Sequence, residues 1–295
     1  MSKKKGIARW SQELSEEAIE FTSAEVKLAI LATIDPRGWP HLTLISFNKA
    51  RSKNQVVWGQ FTEGLSKKYV LENPKQGVTY MNIDIPFKFL QIKANFSHVE
   101  TEGEDLVYFN NTKLMRYLTY VNIVRAFYED IISCTQLRAL PIGGIAKGIV
   151  KDILGKGGLK TGLDEKRLNV IGLKLFKGPI NPKFIGYIDP SDGYPIVIPC
   201  IQLQAVDNNR LVFPIGSVLK EDLMQIPVDS KVAVFGANFD LASQLVNGTF
   251  IGIQKSRGIK FGVIEIEEIY NSCPPLPGVI YPEILTRPKV TNFHL

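Results

Sequence analysis

The sequence predicts a mainly β protein: two tandem six-stranded antiparallel barrels, related by internal duplication and packed as a pseudo-dimer. Three observations carry this reading: the length and composition of the chain, a turn motif that occurs twice with the same flanks, and a matching order of elements after each turn. At 295 residues the chain is long for one hydrophobic core, so two domains are expected. Its 45% hydrophobic and 22% charged residues are ordinary globular values and argue against disorder. No apolar run reaches the roughly 18–20 residues that cross a bilayer. Residues 1–5 are basic, but no apolar signal region follows, so the expected compartment is the cytoplasm.

The turn motif comes first. Residues 29–40 read as an apolar strand, then Ile34-Asp35-Pro36-Arg37-Gly38, then Trp39-Pro40. Residues 184–195 repeat it as a strand, Ile188-Asp189-Pro190-Ser191-Asp192-Gly193, then Tyr194-Pro195. Proline sets φ at the first corner and glycine accepts a positive φ at the last. An aromatic residue and a proline open the return strand both times.

The matching order follows. In the first half a strand over 41–48 is separated from one over 55–61 by a polar loop, 49–54. In the second, 196–205 is separated from 210–213 by Asp207-Asn208-Asn209, a hairpin signal. Each half continues with a short helix (66–72 and 219–225) and a strand (77–83 and 231–236). A long strand (87–99 and 245–254) and a closing strand (123–133 and 259–269) complete it. About six antiparallel strands with short connections describe a barrel, and closure removes exposed sheet edges.

The predicted divisions are 1–137 for the first barrel, 138–180 for a basic Gly/Lys-rich linker with a helix, and 181–295 for a divergent second barrel. The first copy carries extra helices, one over 13–21 capped by Ser15 and one or two over 102–120 broken near Asn110-Asn111. Residues 140–162 contain a helix over 145–154 and read as a plain linker, a basic lid over an anionic ligand, or a docking segment.

Cys134, Cys200 and Cys273 form no CxxC pair, and only His41, His98 and His294 offer imidazoles, so neither a disulfide framework nor a zinc site is expected. A net charge of +6 suits an anionic ligand. No stripe of arginines and aromatics marks a nucleic-acid surface, and a phosphate-bearing small molecule asks for less.

Three segments carry a resemblance: Leu31-Ala32-Thr33-Ile34-Asp35 with Gly38 and Pro40, then Gly59-Gln60-Phe61-Thr62-Glu63-Gly64-Leu65-Ser66-Lys67-Lys68, then Asn73-Pro74. In this order they resemble the pyridoxamine 5′-phosphate oxidase-related family, the FMN-binding split barrels. The match is good over about 20–135 and weaker over 180–275. It implies FMN in the groove between barrels, its phosphate held by Lys, Arg, Ser and Thr of one barrel.

The residues themselves agree, because a phosphate dianion asks for charged donors and backbone N–H groups at a helix start. Thr62, Ser66, Lys67 and Lys68 cluster where a strand ends and a helix begins. A capped surface helix with a solvated lysine pair accounts for the same residues. Ser46 and Asn48 on the second strand, Gln60 at the end of the third and Lys93 on the long strand are further cofactor-binding candidates, each also explicable as a barrel residue. Trp39 and Trp58 could stack on a flavin, although barrel aromatics are usually core. The second copy lacks the Ser-Lys set, with Pro214-Ile215-Gly216-Ser217 and only Lys220 nearby, which implies one flavin per chain and a second barrel serving as a wall.

The function expected from this is an FMN-dependent oxidoreductase acting on a small molecule, with a redox donor as partner. A deazaflavin or haem is the alternative cofactor. A flavin- or ligand-binding module or redox-complex partner without turnover is the alternative class, and a degenerate barrel pair that binds no cofactor is a third. No catalytic acid, base or nucleophile is identified by the sequence.

Overall fold

The computed structural model describes residues 10–60, 64–113, 115, 122–238, 242–271 and 278–282. Two separate antiparallel sheets share one strand order. In the first, β2 (Leu28–Ile34), β3 (Pro40–Leu44), β4 (Asn48–Ser52), β5 (Gln55–Gly59), β6 (Lys75–Met81), β7 (Lys88–Glu100) and β8 (Ala126–Thr135) run in the order β3-β2-β6-β7-β8-β5-β4. In the second, β10 (Lys183–Ile188), β11 (Pro195–Pro199), β12 (Gln204–Ala205), β13 (Arg210–Pro214), β14 (Ser230–Ala237), β15 (Ser243–Ser256) and β16 (Ile259–Asn271) run in the order β11-β10-β14-β15-β16-β13-β12. Each strand of the first order has its counterpart at the same place in the second.

The two ends of each sheet are consecutive in the chain. Residues 40–52 pair with β2 through β3 and with β5 through β4, and the link between them stays bonded, Ile45 N–H to Ala29 O and Gly59 N–H to Phe47 O, both 2.8 Å. Counting that bent segment as one strand, each unit is a six-stranded barrel. Short strands β1 (Trp10–Ser11) and β9 (Arg138–Ala139) extend the first sheet, and β17 (Gly278–Tyr281) the second.

The repeated turns fold as their residues dictate. Gly38 has φ +80° and Gly193 φ +76°, the left-handed corner that glycine takes without a Cβ clash. The Asp35 carboxylate accepts from Arg37 N–H and Trp39 N–H (2.9 and 2.8 Å), and Asp189 accepts from Ser191 N–H at 3.0 Å.

Each turn also clasps the opposite barrel. Arg37 forks onto Glu268 of β16 at 2.9 and 3.0 Å, while Lys93 of β7 reaches Asp189 and Asp192 at 2.9 and 2.6 Å. Lys231 lies 4.6 Å from the Trp39 ring and Lys75 lies 5.0 Å from the Tyr194 ring. Strand β11 lies on β6 and β3 on β14, so these strand contacts come in mirrored pairs, as in an isologous interface. Between them runs a shared core in which Ile30, Leu42, Met81 and Phe89 meet Phe184, Val197, Phe235 and Tyr270. The pseudo-dimer is thus one packed body.

Several sequence expectations shift at element edges. The 49–54 loop is mostly strand: β4 pairs with β5 across a two-residue turn, with Lys49 and Arg51 drawn to Asp105 at 2.9 and 3.4 Å. Helix α1 (Glu16–Thr22) has Ser15 as its N-cap, accepting from Ala18 N–H at 3.2 Å. Helix α2 (Leu65–Glu72) follows β5, and α3 (Glu104–Asn110) lies in the first-copy insert. The inter-barrel segment forms α4 (Ile142–Gly155), a 3₁₀ turn (Lys156–Leu159) and the unanticipated α5 (Val170–Lys177). Helix α6 (Lys220–Leu223) is the counterpart of α2. Cys134 and Cys200 are buried and unbridged, Cys273 lies outside the described residues, and no described helix is long and apolar enough to cross a membrane.

One buried carboxyl makes stability pH-dependent. Glu129 is fully enclosed, accepts from Trp58 Nε1–H at 2.6 Å, and burial pushes its pKa up to about 8. The folded value exceeds the unfolded one, so this group's contribution is intact at acid pH and is lost as pH rises through the window up to about 8. Glu129→Gln is expected to unfold at a higher temperature than the parent at pH 8–9 and to lose that advantage near pH 4. Thermal unfolding monitored by circular dichroism across that range checks it.

Candidate functional site

Four of the eight residues singled out in the sequence come together. Ser46, Gln60, Ser66 and Lys67, with Thr43, Trp58 and Gly64, line a cleft of about 110 Å³ on the first barrel. Ser46 comes from the link between β3 and β4, Gln60 from the end of β5, and Ser66 and Lys67 from the first turn of α2. Ser66 is buried and its hydroxyl shares a 2.8 Å hydrogen bond with that of Thr43. Gln60 is buried, its backbone N–H held by Arg125 O at 2.9 Å.

The start of α2 differs from those of α1, α3 and α6. Its N-cap is Gly64, which supplies no side-chain acceptor, and no acidic residue stands in its first turn, where Lys67 and Lys68 lie. The first N–H groups of a helix carry partial positive charge and favour an anion, so lysines there oppose the local dipole. By contrast α1 and α3 carry Glu16 and Glu17, and Glu104 and Asp105, in the same positions. The counterpart α6 carries Glu221 and Asp222, and Asp222 is committed to Arg138. Where the first barrel has Lys67 as the third residue of its helix, the second has Asp222.

The remaining candidates lie elsewhere. Asn48 lines an adjoining cleft of about 330 Å³ with Lys27, Phe47, Tyr108 and Phe109, and Ser46 belongs to both clefts. Lys68 points to solvent, and Lys93 is committed to Asp189 and Asp192 of the second turn. Thr62 lies outside the described residues. Trp58 stacks on Phe127 with centroids 4.1 Å apart, and Trp39 lies beneath Lys231 at the barrel interface. Every described residue lining the two clefts belongs to the first barrel. The sequence reading missed Thr43 and Lys27; the alternation of β3 carries a signal for Thr43, whereas nothing local marks Lys27.

The second barrel's equivalent groove is filled by the chain itself. The link 200–203 follows β11 as 45–47 follows β3, the link 215–219 follows β13, and α4 lies against both. A Cβ at Gly144 would meet Ser217 O at 2.6 Å and one at Gly148 would meet Gln202 Cβ at 2.8 Å, so glycines four apart give the helix its close approach. Ile145 joins Ile201 and Val218 in the shared core, and the Ser256 hydroxyl donates to Gly155 O at 2.6 Å. Helix α4 lines neither candidate cleft, so it is not a lid over them.

Of the described histidines, His41 is enclosed edge-on between Tyr69 and Tyr270, and burial holds its pKa down at about 4. His98 stacks on Tyr128. Neither lines a cleft, and the described residues contain no group of three or more His, Cys, Asp or Glu side chains able to hold a metal ion.

The chain folds as two tandem six-stranded antiparallel barrels of one strand order. Among solved structures it is similar to an FMN-binding protein from Syntrophomonas wolfei subsp. wolfei, at 15% identity and a TM-score of 0.37, over 43% of this chain and 86% of that one. HupZ of Group A Streptococcus matches at 12% identity and 0.34, over 41% and 91%. HutZ, the haem storage protein from Vibrio cholerae, matches at 16% identity and 0.32, over 43% and 94%. No family model and no curated protein matches the sequence.

Proposed function

We propose that the chain binds one FMN in the first barrel and acts as a flavin-dependent oxidoreductase on a small organic molecule. The observation that carries this reading is the start of α2, where a glycine-capped helix end, Ser66 and Lys67 converge on one cleft with no carboxylate in the helix's first turn. A phosphate resolves the conflict between those lysines and the helix dipole.

The donor set fits the phosphorylated tail. Ser66, Lys67 and the α2 N–H groups would hold the phosphate, while Thr43, Ser46 and Gln60 would offer partners to a polyol chain. The cleft of about 110 Å³ would take the phosphorylated tail and not the whole cofactor. The flavin supplies the hydride or electron chemistry when bound, and the protein contributes position and electrostatics. Among the described residues no imidazole lines either cleft to ligate a haem iron, which favours a flavin.

Purified protein is expected to show flavin absorption bands and to release FMN on denaturation. Anaerobic addition of a nicotinamide cofactor then separates the two classes: bleaching of the flavin marks an oxidoreductase, and an unchanged flavin spectrum marks a binding module. A colourless protein that binds no added FMN rejects the cofactor reading.

A further inference from the structure

The larger cleft beside the cofactor site has the chemistry of a ligand site of its own. Its walls are aromatic: Phe47 and Phe109 are buried and meet edge-to-face at 6.5 Å, with Tyr108 beside them. Its volume of about 330 Å³ falls within the range of small-molecule pockets. Two polar groups on its lining are incomplete. The Lys27 ammonium is half-buried and donates to Ala24 O at 2.8 Å, with no carboxylate within ion-pair distance among the described residues. Among the described residues the one carboxylate lining the cleft, Glu25, accepts from the backbone N–H of Lys113 at 3.1 Å. Asn48 is 5% exposed; its Nδ2 donates to Ile45 O, while its Oδ1 accepts from no donor among the described residues.

We propose that this cleft binds a small aromatic monocarboxylate carrying a second hydrogen-bond donor, its carboxylate on Lys27 and its donor group on Asn48 Oδ1. A half-buried cation gains most from a ligand that brings its own counter-charge, and a buried amide oxygen gains from a ligand that brings a hydrogen. A flat apolar body suits walls of Phe47, Tyr108 and Phe109. Burial holds the Lys27 pKa down at about 8, in keeping with an ammonium that lacks a counter-ion. Because Ser46 lines both clefts, a molecule held here lies next to the cofactor site. The site's role as the substrate site rests on the flavin reading, but its affinity does not.

The test is calorimetric titration of the full chain, freed of any flavin, with 4-hydroxybenzoate as probe. Saturable binding is expected, weakened tenfold or more by Lys27→Met, largely retained by Lys27→Arg, and unaffected by Lys68→Ala, an exposed lysine that lines neither cleft. The neutral analogue 4-hydroxybenzyl alcohol is expected to bind at least tenfold more weakly. No binding to the parent chain, or equal binding by parent and Lys27→Met, overturns the proposal. The same titration on FMN-loaded protein separates the two claims: probe binding to a chain that takes no FMN sinks only the flavin reading, and FMN binding without probe binding sinks only this one.

Discussion

Lys67→Ala protein is expected to leave purification with little or no FMN and to bind added FMN roughly 10- to 100-fold more weakly than the parent chain. The expectation comes from the arrangement at the start of α2. Charge-assisted hydrogen bonds to phosphate are about twice as strong as neutral ones, and a helix N-terminus adds its partial charge to the same oxygens. Removing the ammonium leaves the backbone donors and the Ser66 hydroxyl, so binding weakens without vanishing. Lys68→Ala is the internal control: its side chain points to solvent and it does not line the cleft, so its affinity is expected within about twofold of the parent. Fluorescence titration of FMN against each variant reads both. Equal losses from the two substitutions would place the effect in general surface charge instead of in the site.

Arg138→Ala is expected to lower stability by about 3 kcal/mol or more. The guanidinium forks onto Asp222 with hydrogen bonds of 2.7 and 2.6 Å, joining β9 of the first sheet to α6 of the second unit. The Asp222 side chain is only 8% exposed, so truncating its partner strands a carboxylate that water reaches poorly. The cost of that stranded charge, more than the lost attraction, sets the size of the effect. Arg138→Met combined with Asp222→Leu removes both charges and is expected to recover much of the loss. The midpoint of urea unfolding measures the series; a double variant no better than Arg138→Ala alone would contradict the explanation.

The parts of this fold legible in the sequence are those set by local chemistry. The Asp-Pro-Gly turns appear twice because proline, glycine and an aspartate that bonds its own turn N–H groups specify a corner without outside help. The Ser15 cap was legible for the same reason. Strand β4 was not, because Lys49 and Arg51 look like loop residues until Asp105 and the Tyr108 ring receive them from α3. Its strand character is tertiary in origin.

In the site, the cluster around α2 was legible because sequence neighbours stay spatial neighbours across a strand-to-helix junction. Lys93 was not placed correctly by strand reasoning alone: alternation says which face a residue occupies, and only the docked second turn shows that Asp189 and Asp192 claim it. The fate of 140–162 was half legible. Glycines at 144 and 148 signal close packing on one helix face, but the groove they enter exists only once the second barrel has formed. Lys27 had no local signature at all, since its significance lies in aromatic walls contributed by residues 47, 108 and 109.

The charge reversal between Lys67 and Asp222, together with α4 lying in the second groove, makes the two barrels unequal partners in a nearly symmetric frame. The measurement that tests this most directly is the stoichiometry of FMN binding to the flavin-free chain, by calorimetric titration at concentrations well above the dissociation constant. The account predicts saturation at one FMN per chain. Saturation at two, or no binding at all, would contradict it.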